Sequence, residues 1–167
     1  MSLRTLGFQS PPAWGYQVED TEPKHQWFKL SLDPSWRNDS SELVIKYPVP
    51  IATSFLNANA EQTDDLVVKY LTALKEHSER ILAGKFEGVG NALKRLDREY
   101  MITVPAVWSD VARKRTRSCA ERAGFGVGNS LQLITEPEAA ALYQLVHNVP
   151  SVVKTGDAFV LCNAGDW

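Results

Sequence analysis

Little in this 167-residue sequence points to a specialised environment. It has only two cysteines, Cys119 and Cys162, too few and too far apart for a disulfide framework or a paired metal spacing. Its three histidines, His25, His77 and His147, show no metal-ligand spacing either. No run approaches the ~20 apolar residues that cross a bilayer, and Met1–Gly7 lacks the apolar core of a secretory signal. Charge of one sign is also missing: 18 Lys+Arg stand against 20 Asp+Glu, a formal net charge of −2. That balance argues against general nucleic-acid binding, which needs a basic excess on some face. The expectation is a cytoplasmic protein that engages neither nucleic acid nor membrane. With 44% hydrophobic and 23% charged residues the composition is globular, long enough for one domain that buries roughly 70% of its unfolded surface.

The regular parts are unevenly spread. Up to about residue 60, prolines 11, 12, 23, 34, 48 and 50 interrupt the chain, and runs such as Trp27-Phe28-Lys29-Leu30 predict only brief strands or turns. From Thr63, a candidate N-cap, Leu66, Val67, Tyr70, Leu71, Leu74, His77 and Ile81 recur at helical spacing, predicting a helix that ends near Gly84. Gly84–Gly90 is glycine-rich but lacks the spacing of a phosphate loop and reads as a surface loop.

Beyond it the pattern becomes β-α-β-α-β. Tyr100–Val104 is a continuous, largely β-branched run closed by Pro105, as expected of a strand buried on both faces. Ser109 is placed to cap a helix whose Ala112, Thr116, Cys119, Ala120 and Ala123 share one face, with Gly124 as its stop. Leu131–Ile134 is a second strand, Thr135 and Pro137 open a further helix, and Ala158–Cys162 reads as a third strand. Alternation of this kind means parallel strands in an α/β fold. The chain divides into a less regular peripheral part, 1–97, with one long helix, and a β-α-β-α-β part, 98–167.

Glu136 is the residue most placed for chemistry. It stands where a strand ends and a helix begins, on the same sheet edge as the turn after Cys162. There its carboxylate could orient a metal-bound water or act as a base, while backbone N–H groups around Gly165 could meet phosphate. The plainer alternative is a first-turn glutamate favoured by the helix dipole. Arg113, Lys114, Arg115 and Arg117 read as a solvated face, and Trp14, Trp27, Trp36 and Trp108 as packing anchors.

Ile102–Asp110, followed by Ala123-Gly124-Phe125 and by Ile134–Leu142, resembles the Hsp70 nucleotide-binding domain in order, spacing and identity. Trp14-Gly15-Tyr16 and Trp27–Pro34 are similar to the divergent Hsp70-like proteins of filamentous fungi. The resemblance implies a partial actin-like fold with a ribonuclease-H-type core, binding ATP with magnesium. It implies that Glu136 faces the magnesium-bound and attacking waters and that Lys29 is the catalytic lysine. Pro105 and Arg113 match the proline and arginine that relay nucleotide state between domains. Asn163, Ala164 and Gly165 fall on the second phosphate loop, where Asn163 replaces an acidic residue and Asp166-Trp167 replaces glycines. An Asp-Leu-Gly-Thr-Thr first loop has no counterpart. A side chain and negative charge where backbone must approach phosphate weaken binding.

The expectation is therefore a truncated nucleotide-binding domain without independent ATPase activity, with weak or no ATP binding. It would act, if at all, through a protein partner or by self-association. Two alternatives stay open: a chaperone ATPase completed by missing sequence or another chain, and a fragment with no function of its own.

Overall fold

A computed structural model describes residues 2–4, 13–18, 25–26, 28–34, 60–86, 96–147 and 154–162. The early part is built of minimal pieces. Strand β1 (Ser2–Arg4) pairs antiparallel with both β2 (Ala13–Trp14) and β3 (His25–Gln26), and 3-10 turns cover Gly15–Gln17 and Leu30–Leu32. Brief strands and turns are what the interrupted sequence predicts.

Helix α1 (Ala60–Lys85) is the long helix, but it starts before Thr63. Thr63 is wholly buried inside it rather than capping it. Leu66, Val67 and Leu71 enter the core, whereas Ile81 and Leu82 near its end are exposed. Of the glycine-rich stretch, Gly84 and Lys85 lie on this helix or its last turn; residues 87–90 are outside the described set.

Strand β4 (Tyr100–Val104) runs parallel to β5 (Leu131–Thr135), in register from Tyr100 opposite Leu131 to Val104 opposite Thr135. Helix α2 (Asp110–Arg122) connects them, and α3 (Glu136–His147) follows β5 without a break. The α/β reading of this half therefore holds. Two expectations do not. β4 is not buried on both faces: Tyr100, Ile102 and Val104 turn toward the core while Met101 and Thr103 are exposed. The β-branched run met only one covering layer, so its burial alternates with the pleat. Residues 158–162 form no strand; among the described residues the parallel sheet has two strands, and Phe159 and Val160 are exposed. An apolar run creates a demand for burial but does not supply the edge it must pair with, and here it leaves the Lys154–Asp157 turn, which Asp157 N closes on the Lys154 carbonyl at 3.0 Å, without forming a strand.

The core joins all these pieces. Phe28 and Leu32 from the irregular part pack with Leu66, Val67 and Leu71 of α1, with Ala112, Cys119 and Ala120 of α2, and with Val104 and Leu131 of the sheet. Trp14 sits edge-on against Tyr70 and His77 of α1, at ring-centroid distances of 5.8 and 5.4 Å. Trp108 is buried, as a packing anchor should be; Trp27 and Trp36 lie outside the described residues. No helix among the described residues is long and apolar enough to cross a membrane.

Candidate functional site

The site forms where the irregular segment meets the C-terminal ends of the two parallel strands. In the turn after β3, Ser31, Leu32 and Asp33 donate their N–H groups to the carbonyls of Phe28, Lys29 and Leu30. Phe28 and Leu32 are buried and anchor the turn in the core, which leaves the intervening Lys29 at its rim. Lys29 Nζ lies 3.3 Å from Oε1 of Glu136, the first residue of α3. It also lies 5.9 Å from the centroid of the buried Trp108 ring, within cation–π reach. Both ion-pair partners are about a third exposed, at 36% and 35%. Screening at that exposure leaves the pair worth on the order of 1 kcal/mol or less, so it counts for placement more than for stability.

The loop between β4 and α2 forms the site's second wall. Pro105 is buried and its carbonyl accepts from Trp108 N at 3.2 Å. Ser109 Oγ accepts from Ala112 N and caps α2, while Ser109 N donates to Asp33 Oδ2 at 2.9 Å. Asp33 is 1% exposed, so a buried carboxylate ties the Lys29 turn to the start of α2. Arg113 donates from Nη2 to the Ala106 carbonyl, which sets it against the same loop. Its Nε is buried with no hydrogen-bond partner among the described residues.

Glu138 closes the constellation from α3. Its Oε2 accepts from both N and Oγ1 of Thr135, and Thr135 Oγ1 in turn accepts from Glu138 N, a reciprocal cap at the strand-to-helix junction. The Thr135 N–H and hydroxyl hold the Glu138 carboxyl below its ordinary range, with the Arg113 charge assisting. Thr135 is thus the N-cap expected of it, and this cap fixes the backbone that presents Glu136.

Lys29 and Glu136, 107 positions apart, are accordingly brought together, with Pro105 and Arg113 on the adjoining loop and helix. Asn163, Ala164 and Gly165 lie outside the described residues. Among the described residues no three His, Cys, Asp or Glu side chains gather as a metal site. Chemically, an ammonium beside a carboxylate at the end of a parallel sheet can take an anionic oxygen on one side and hold a water on the other. The basic stretch is the solvated face expected only at Lys114, which is exposed: Arg115 bonds to Asp64, Ser31 and Leu32, and Arg117 donates to the Leu131 carbonyl. Reading the sequence missed Asp33 altogether.

No family model matches the chain, and no solved structure matches it. Two curated proteins named "Heat shock 70 kDa protein 12A", from Homo sapiens and Mus musculus, are each 34% identical to it over 131 residues. That is 77% of this chain but 18% of each relative, so the chain spans under a fifth of their length. A "Chaperone protein HscA homolog" from Pseudomonas putida is 36% identical over 88 residues, covering 52% of this chain and 12% of the relative. The chain is Hsp70-like, a distant homologue of these proteins over part of its length.

Proposed function

We propose that this Hsp70-like chain forms part of an ATP-binding domain of actin-like fold, and that Lys29 and Glu136 are its phosphate-side pair. The observation that carries the reading is their 3.3 Å contact, because the two residues that the family resemblance marks for chemistry come from opposite ends of the chain. In this reading Lys29 would hold a terminal phosphate oxygen of ATP and Glu136 would hold a water beside it, with magnesium, when bound, supplying charge neutralisation. Pro105 and Arg113, set against the loop that leads to α2, transmit the state of the site to a protein partner. The residues present fit magnesium only through water, since the site offers Glu136 and no cluster of direct ligands among the described residues.

By themselves the 167 residues bind Mg-ATP weakly and do not hydrolyse it, because they contain no Asp-Leu-Gly-Thr-Thr turn and carry Asp166 where a glycine would let phosphate approach. Isothermal titration with Mg-ATP is expected to give a millimolar or weaker Kd, about 4 kcal/mol or less. At tens of millimolar, Mg-ATP is expected to shield Lys29 from acylation, and absence of any shielding would defeat the phosphate-side assignment.

A second reading, an ATPase completed by further sequence or another chain, is favoured by the survival of the Lys29–Glu136 pair itself. Micromolar binding, or phosphate release that disappears in Glu136→Gln, would promote it over the first.

A further inference from the structure

Arg115 belongs to a run of four cations within five residues, yet its side chain is only 16% exposed. Its Nε and Nη2 donate to Asp64 Oδ1 on α1, at 3.0 and 2.6 Å. Its Nη1 donates to the carbonyls of Ser31 and Leu32, at 2.9 and 2.8 Å. One guanidinium on α2 therefore joins α1 to the turn that carries Lys29.

We propose that Arg115, oriented by Asp64, is a positioning residue that sets where the Lys29 ammonium sits. This rests on Lys29 being the site's cation. The short turn satisfies the N–H groups of Ser31, Leu32 and Asp33 internally, but carbonyls at the end of such a turn need donors from elsewhere. Arg115 supplies charged ones, which bond more strongly than neutral donors. The grip reaches Lys29 through a single link: Leu32, whose carbonyl Arg115 holds, donates its own N–H to the Lys29 carbonyl at 3.1 Å. Asp64 keeps the guanidinium plane aimed at both carbonyls. A lysine at 115 would keep the charge but not the planar fork that serves a carboxylate and two carbonyls at once. Phe28 and Leu32 seat the turn in the core, and Arg115 fixes its end.

The test is lysine acylation of the full chain without nucleotide, read residue by residue by mass spectrometry. Exposed Lys69 and Lys114 serve as internal standards, and Glu136→Gln as the variant that frees Lys29 directly. Arg115→Ala is expected to raise Lys29 labelling by up to about fivefold, the factor that complete loss of an ion pair of roughly 1 kcal/mol corresponds to, and to leave the standards unchanged. Arg115→Lys, which keeps charge and most of the bulk, is expected to raise it nearly as far and serves if the alanine variant does not fold. The inference is overturned if Glu136→Gln raises Lys29 labelling and Arg115→Lys does not, or if all lysines rise together as in general loosening. If Glu136→Gln itself changes nothing, the pairing of Lys29 with Glu136 fails first, and the positioning role falls with it.

Discussion

Cys119 shows how burial alone makes a reactive group inert. Its thiol lies 1% exposed in the core with Sγ 3.7 Å from the Asp64 carbonyl, and burial pushes its pKa from 9.0 up to about 12. Cys162 is exposed. Iodoacetamide near pH 8 is expected to modify Cys162 quickly and to reach Cys119 only when the chain is unfolded, a contrast that peptide mapping resolves. The linkage runs in one direction. A thiol whose folded pKa is raised binds its proton more firmly when folded, so its contribution is full below about pH 9 and is lost as pH rises toward 12. Equal alkylation of both cysteines under native conditions would contradict this placement. Arg115 misled the sequence reading, which sets the basic run largely opposite the apolar face of its helix; it stands three residues after Ala112 and four before Cys119, on the flank of the buried stripe. Asp33 had no comparable signal, since its partner is a backbone N–H 76 positions away.

Elements bounded by local chemistry were readable; those bounded by distant partners were not. Ser109 caps α2, and Gly124 ends it at φ +82 with Gly124 N on the Glu121 carbonyl and Phe125 N on that of Ala120. Those two bonds form a Schellman stop, which is why serine and glycine at these positions marked both ends correctly. Ser109→Ala is expected to cost about 1 kcal/mol in chemical denaturation. Gly124→Ala is expected to cost more than about 1 kcal/mol, since a side chain is forced into left-handed backbone although open space surrounds it beyond an ordinary contact with Lys75. Parallel pairing of β4 with β5 followed from the same local logic. Thr63 misled because its residue type suits a cap while its position in the fold suits the core, and only tertiary packing decides between them. The Thr135–Glu138 cap adds a pH-dependent term. Glu138 has a depressed folded pKa, so its contribution is present above the unfolded value and fades as pH falls through the folded one. In Glu138→Gln, part of the acid-side loss of thermal stability is therefore expected to disappear; an unchanged pH profile of Tm would exclude the cap as its source.

For the molecule as a whole, the unevenness of burial matters more than its amount. The core is continuous from Phe28 through α1 and α2 to the sheet, but α3 buries none of its residues and leaves Leu142, Tyr143 and Val146 exposed. Met101 on β4 and Phe159 and Val160 beyond α3 are exposed as well. Among the described residues the parallel sheet has only two strands, so each has an edge whose N–H and C=O groups face no neighbouring strand. Unpaired edges and clustered apolar side chains both favour association with another chain. We therefore propose that the isolated 167-residue chain self-associates. Its sedimentation coefficient is expected to rise with concentration, and Leu142→Gln combined with Val146→Gln is expected to weaken that rise. These two side chains are exposed, so the double variant should fold as the parent does and its effect should appear in association rather than in Tm. A single species that stays monomeric over the whole concentration range, and an unchanged profile in the variant, would show that the exposed residues of α3 recruit no second copy.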